Sequence, residues 1–210
     1  MNRTSGTAAL GVVVLALSAC GSDDSTPRVT VDDLAAGSYV VSIGDANAPT
    51  VGKYYASADG SRLLVVADAT DHAQQVYKKA ANQAWVAAPA VAQDVTVTLL
   101  RSGAVTANTV ALASLAGHYV TSVATGITAS FDIDASGAIT AGTSACKLSG
   151  RLSPGKLPNT LVLDLTTSGC GTLPAASTGV LVIDADYAPA SYRLVAESGT
   201  QLLDLWAFSE

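Results

Sequence analysis

Phe131 to Val182 reads FDIDASGAITAGTSACKLSGRLSPGKLPNTLVLDLTTSGCGTLPAASTGVLV, and its patterning decides the fold class. Phe131, Ile133, Ile139, Leu148, Leu161, Leu163 and Leu165 fall into short apolar segments of period two. That spacing puts alternate side chains on one face of a pleated strand. Between the segments stand Ala135-Ser136-Gly137, Ser149-Gly150, Pro154-Gly155 and Pro158-Asn159, all residues that favour turns. Alternation interrupted in this way is the pattern of antiparallel strands joined by tight loops. Two cysteines, Cys146 and Cys170, bracket the middle of the run and have the placement of a staple across a β-meander.

Working outward, the same texture predicts strands near 117–123, 129–133, 138–143, 145–153, 160–167, 178–185, 191–196 and 202–207. Eight short strands with returning connections suffice for a closed or nearly closed meander barrel, with a sandwich as the alternative. Closure would keep the final run, Leu202 to Phe208, from standing as a sticky apolar edge. Trp206, Phe208 and Leu202 share the parity of one face, expected to plug the core. Upstream, strands are predicted near 38–43, 51–58, 62–67, 74–79, 84–87 and 95–100. Asp59-Gly60 marks a hairpin, since that pair suits the positive-φ positions of a type I′ turn. Gln74 to Gln83 has some helical propensity, but a strand turning at Asn82 lets Val76, Trp85 and Val97 face one side.

Leu34-Ala35-Ala36-Gly37-Ser38-Tyr39-Val40-Val41-Ser42 returns as Leu115-Ala116-Gly117-His118-Tyr119-Val120-Thr121-Ser122. Each copy leads into a comparable series of strands, which suggests two related β units. The expected organisation is an all-β chain: a signal peptide over 1–19, a lipidated Cys20 with a flexible tether over 20–33, β unit one over 34–100, a linker over 101–114 and a stapled β unit two over 115–210.

The leader supports that reading. A single Arg3 precedes the apolar run Ala8 to Leu17, too short to span a bilayer, and Leu17-Ser18-Ala19-Cys20 follows. This resembles a bacterial lipobox, in which a Leu and two small residues precede the acylated Cys. The resemblance implies diacylglycerol on the Cys20 thiol, cleavage before Cys20 and an acylated new terminus. Several acyl chains, at about 0.8 kcal/mol per buried methylene, make a stable anchor. An ordinary signal peptide cut near the same place, with Cys20 incidental, is the alternative. Gly21 rather than Asp follows the Cys, which by likeness to enterobacterial sorting favours the outer membrane.

With Cys20 on lipid, Cys146 and Cys170 remain in a compartment that permits disulfides. Two free buried thiols or a metal pair are the alternatives. Isolated cysteines without a CxxC, beside only His72 and His118, make a poor zinc set. The chain also resembles small proteobacterial lipoproteins of uncharacterised function, many of which open a β unit with a Gly-Xaa-Tyr strand. Those proteins carry cysteines in Ser-Ala-Cys and Ser-Gly-Cys contexts, here Ser144-Ala145-Cys146 and Ser168-Gly169-Cys170. The likeness implies an address and a β fold, and no activity.

Composition bounds the partners. The chain has 210 residues, a formal charge of −6 and 11 Lys and Arg against 17 Asp and Glu. The cations are scattered apart from Lys78-Lys79, so no basic stripe exists for a phosphate backbone and no nucleic-acid partner is expected. An acidic surface also disfavours adsorption to anionic lipid, leaving the lipid anchor as the route to the membrane.

Asp132 and Asp134 flank Ile133, and Asp184-Ala185-Asp186 repeats the spacing. Paired carboxylates serve acid–base work or calcium, and Asp132 to Gly137 has the alternating oxygens of a calcium loop without its later bidentate Glu. Solvated aspartates at strand ends are the simpler account, and no metal or cofactor is expected. There is no G-x-S-x-G elbow beside His72 or His118, no phosphate loop and no dinucleotide fingerprint, so an enzyme is not expected. Tyr54, Tyr55, Trp85 and Trp206 are the candidate ligand or partner contacts, because amphipathic aromatics suit interfaces. Adjacent Tyr54 and Tyr55 point to opposite faces of a strand, so at least one is expected outside the core. The function expected is that of a non-catalytic binding or structural module of the cell envelope, with an envelope protein or glycan as partner. A carrier holding an apolar small ligand inside a lipocalin-like barrel is the alternative, and an unrecognised hydrolase the third reading.

Overall fold

A computed structural model describes residues 26–210, and these are all-β. The segment 1–19 expected to be a signal peptide, Cys20 and the first part of the expected tether lie outside the described residues. The first half comprises β1 (Val29–Val31), β2 (Gly37–Asp45), β3 (Ala48–Ala56), β4 (Arg62–Ala67), β5 (Ala73–Lys79), β6 (Val86–Ala88), β7 (Val95–Val97) and β8 (Leu99–Val105). The second comprises β9 (Gly117–Ala124), β10 (Ile127–Ile133), β11 (Ala138–Ala141), β12 (Lys147–Pro154), β13 (Thr160–Ser168), β14 (Ala176–Val182), β15 (Tyr192–Ser198) and β16 (Gln201–Ser209).

β9 to β16 close into an eight-stranded antiparallel barrel in which each strand pairs with its chain neighbours and β16 returns to β9. The period-two residues that announced these strands point inward. Along β13, Leu161, Leu163 and Leu165 are buried while Val162, Asp164 and Thr166 are exposed. Phe131, Leu148, Leu152, Leu181, Tyr192 and Leu194 complete the interior, each at 2% exposure or less. Each such side chain contributes about 1.5–3 kcal/mol through burial, and their bulk fills the space in which a lipocalin-like barrel would hold a ligand. The Cys146–Cys170 disulfide is formed, with Cα atoms 4.5 Å apart, and pins the hairpin of β12 and β13 at its open end, beside the pair Lys147–Ser168.

The first half repeats this order without full closure. Its sheet runs β6-β5-β4-β3-β2-β8, so β8 stands against β2 as β16 stands against β9. A small parallel ladder of β1 and β7 spans the gap: Val29 bridges Trp85 next to β6, and only Thr98 separates β7 from β8. Two boundaries therefore differ from the expected ones. Val29 and Val31 are buried and paired with Val95 and Val97, so ordered structure reaches into the segment read as tether. β8 occupies the start of the expected linker, because the pairing groups of β2 need a partner on their second side.

The repeated phrase has a shared physical basis. Tyr39 OH donates to the carbonyl of Ala35 at 3.1 Å, and Tyr119 OH to that of Leu115 at 3.0 Å, each four residues back. The glycine two residues before Tyr39 makes room for the ring, since a Cβ on Gly37 would lie 3.1 Å from the Tyr39 hydroxyl; at Gly117 a Cβ would meet Tyr119 at an ordinary contact distance of 3.5 Å. In the buried copy, Tyr119→Phe leaves the Leu115 carbonyl unpaired, and a loss of about 1 kcal/mol is expected in urea unfolding. No change in the unfolding midpoint would mean the corner does not hold the strand.

Other local expectations are corrected. The Asp59-Gly60 hairpin forms, but only Gly60 takes positive φ; a five-residue loop closed by Ser57 N to Ser61 O replaces the type I′ turn. Gln74 to Lys79 is strand and the chain turns at Asn82, φ 59°, as expected. Val76, however, faces away from Trp85 and Val97; Tyr77 is the residue of β5 that joins their cluster. Trp206 and Leu202 do not plug the barrel, whose inward residues on β16 are Leu203, Leu205 and Ala207.

Candidate functional site: the seam and cleft between sheet and barrel

β4 and β15 are buried on both faces along much of their length, as is the second half of β3, and this explains the near-continuous apolar run Leu63 to Ala67. In β4, Leu64 and Val66 belong to the interior of the first half, whereas Leu63 and Val65 point outward. They pack with Tyr55, Val76 and Ala88 against Val182 and Val195 of the barrel wall and against Tyr187 and Ala190 of the connection between β14 and β15, so the two halves share an apolar seam.

Charged groups are built into this seam. Arg193 of β15 is 3% exposed and forms a bidentate pair with Asp204, Nε to Oδ1 at 2.5 Å and Nη2 to Oδ2 at 2.6 Å. Its guanidinium lies 4.9 Å from the Trp206 ring centroid and 5.8 Å from that of Tyr187. Burial works against the Arg193 charge, but the hydrogen bonds and charge of Asp204 outweigh it and raise its pKa. Asp204 reaches across to the sheet, accepting from Ala73 N at 2.7 Å, with His72 Nδ1 at 3.3 Å. Lys53 of β3 answers from the sheet side, its Nζ 2.8 Å from Asp184 and 2.6 Å from Asp186. Burial of Lys53 is likewise outweighed by these carboxylates, so its pKa is raised.

Beside the seam the walls part into a cleft of about 600 Å³. Leu63, Val76 and Val86 line it from the sheet, and Val162, Val180 and Leu202 from the barrel. Val86 and Val162 are 54% and 42% exposed, apolar residues at outward strand positions. Lys78 stands on the sheet wall and Glu197 on the barrel wall, while the neighbouring Arg62 and Lys79 turn their charged ends to Asp33 on the sheet's other face. Lys78 and Glu197 are ion-paired from one half to the other. A second space of about 710 Å³ adjoins, sharing Val86, Thr178 and Glu197 with the first.

The expectation that at least one of Tyr54 and Tyr55 stands outside the core is overturned. Tyr54 and Tyr55 are both buried, at 0% and 1% exposure, because their strand is covered on both faces. Tyr54 packs near Trp85 and Tyr39 inside the first half, and burial pushes its hydroxyl up to about 12. Tyr55 lies in the seam, where burial raises its pKa well above the ordinary value. Trp85 is half-buried beneath Lys79, and Trp206 half-buried between Tyr187 and Arg193. None of the four lines the cleft.

His118 pairs with Asp132 on the barrel surface, and Asp134 holds its own turn by accepting from Ser136 N, Ser136 Oγ and Ala138 N. Among the described residues no group of three or more His, Cys, Asp or Glu side chains could hold a metal ion. Sequence reading missed Lys53, the Lys78–Glu197 pair and the bond from Ala73 to Asp204, for partners 119 to 133 positions apart leave no local pattern; it also missed Arg193, whose partner Asp204 is 11 positions away on the neighbouring strand. Val162 was legible: it is an apolar residue at an outward position of an otherwise alternating strand.

No protein-family model matches the chain, and no curated protein or solved structure shows significant similarity to it.

Proposed function

We propose that this chain is a lipid-anchored protein of the bacterial cell envelope, attached through Cys20 and working as a non-catalytic binding module. The observation that carries the binding reading is the cleft between sheet and barrel. A surface rich in Ser, Thr and Asp had polar residues at hand for the positions of Val86 and Val162, and apolar patches rimmed by charge mark interaction sites. The filled barrel interior favours this outer cleft over a ligand enclosed in the barrel. The formed disulfide suits an oxidising compartment, and Leu17-Ser18-Ala19-Cys20 supports the anchor, with Gly21 favouring the outer membrane.

Two measurements test the two parts. Radiolabelled palmitate is expected in the mature protein and lost in Cys20→Ser; an unlabelled wild type removes the anchor. Native mass spectrometry of protein from its own host is expected to show a non-covalent adduct that Val162→Asp abolishes. An adduct indifferent to that change places binding elsewhere, and its complete absence removes the module.

A further inference from the structure

We infer that the cleft shelters an acyl chain of the lipid on Cys20 while the protein is off the membrane. This rests on Cys20 being lipidated and names an occupant for the cleft. At about 600 Å³ the cleft falls within the roughly 300–1,000 Å³ of small-molecule sites. Val86, Val162, Val180 and Leu202 give it an aliphatic lining, with no Phe, Tyr or Trp among the lining residues. It therefore lacks the aromatic face on which a sugar or flat ring stacks. Charge narrows the occupant further. Lys78 and Glu197 neutralise each other across the cleft, and Arg62 and Lys79 turn to Asp33 on the sheet's other face. A fatty acid or phospholipid brings an anionic group that finds no unpaired cation among the described lining residues. The acyl chains of a lipidated cysteine end in esters and an amide, so they enter without charge.

The course of the chain brings these acyl groups to the cleft. Val29 bridges Trp85 in the antiparallel sense, so the chain ahead of Val29 passes beside Val86, a wall residue of the cleft. That side of Val86 is open because β6 pairs with β5 alone in its sheet. Arg28 stands eight positions after Cys20, and eight extended residues span at most about 28 Å. Val86 and Val162 expose apolar surface from opposite walls, and a hydrocarbon chain laid between them covers both. Off the membrane a bare acyl chain lies against water, and burial in the cleft relieves that contact. In a bilayer hydrocarbon surrounds the chain on every side, and the cleft is left free for its partner.

The probe is palmitate carrying a photoreactive diazirine on its alkyl chain, fed to the host and incorporated into the full mature protein. The purified protein is irradiated after dilution of its detergent below the micelle concentration, and in parallel in phospholipid vesicles. Peptide mass spectrometry maps the crosslinks, and mixing with protein labelled with heavy nitrogen separates those within a chain from those between chains. Off the membrane most crosslinks are expected within the chain, on peptides carrying Val86, Val162 or Leu202. In vesicles these are expected to fall at least tenfold in favour of crosslinks to lipid. Val162→Asp and Val86→Asp, both at exposed positions, are each expected to lower the cleft crosslinks at least tenfold, with circular dichroism verifying the fold. Crosslinks scattered outside the cleft, formed only between chains, unchanged in vesicles, or indifferent to both substitutions overturn the inference and leave the anchor standing. A protein that takes up no probe overturns the anchor and the inference together.

Discussion

Asp204→Ala is expected to destabilise the protein by about 3–5 kcal/mol, the cost of leaving a buried charge without its partner. Arg193 is 3% exposed and the Asp204 side chain 7%, so water cannot replace the lost carboxylate without opening the seam. The substitution also removes the acceptor of Ala73 N, the hydrogen bond that ties β5 of the sheet to β16 of the barrel. A double change, Arg193→Met with Asp204→Leu, removes both charges together and is expected to recover most of the loss, since an apolar pair of similar volume needs no counter-charge. Urea unfolding followed by near-ultraviolet circular dichroism reads both, with Trp206 beside the site as reporter. A loss under about 1 kcal/mol for Asp204→Ala would show that the guanidinium is already hydrated and that the halves are not locked there.

Replacing Cys146 and Cys170 together by alanine is expected to cost about 3.5 kcal/mol, the loop-closure entropy returned to the unfolded chain for a separation of 24 residues. Both cysteines lie in the barrel core, so alanine also leaves small unfilled space. The unfolded state becomes more expanded, and the urea midpoint should fall while the slope rises. An unchanged midpoint would mean that β12 and β13 are held by their pairing and by the leucines of β13 alone. The two losses should add, since one acts in the seam and the other at an open hairpin end inside the barrel. Strong non-additivity would show that the seam and barrel unfold as one tightly coupled unit.

Much of the barrel was legible because its strands bury one face and wet the other. β13 runs inward Leu161, Leu163, Leu165 against outward Val162, Asp164, Thr166, and it begins at Thr160 as its predicted strand does. The disulfide and the repeated Gly-Xaa-Tyr phrase were visible for a related reason: each acts through residues near in sequence or singular in chemistry. Legibility failed where a strand gained a second cover. Tyr54 and Tyr55 could not both be assigned to a core while only one face was counted, and Trp206 was turned inward when it belongs to the seam. β1 was missed because three residues of Val-Thr-Val carry too short a period to stand out from a polar segment.

By itself the sequence determined the all-β class, the run of strands, the staple and the inward leucines, since alternation, turn chemistry and cysteine count are local. Only the tertiary structure decided that the outer faces of sheet and barrel meet, that Arg193 and Asp204 are sealed between them, and that a cleft opens at their margin. Those features depend on which exposed faces come together, and strand periodicity specifies that a face is apolar without naming the surface that covers it.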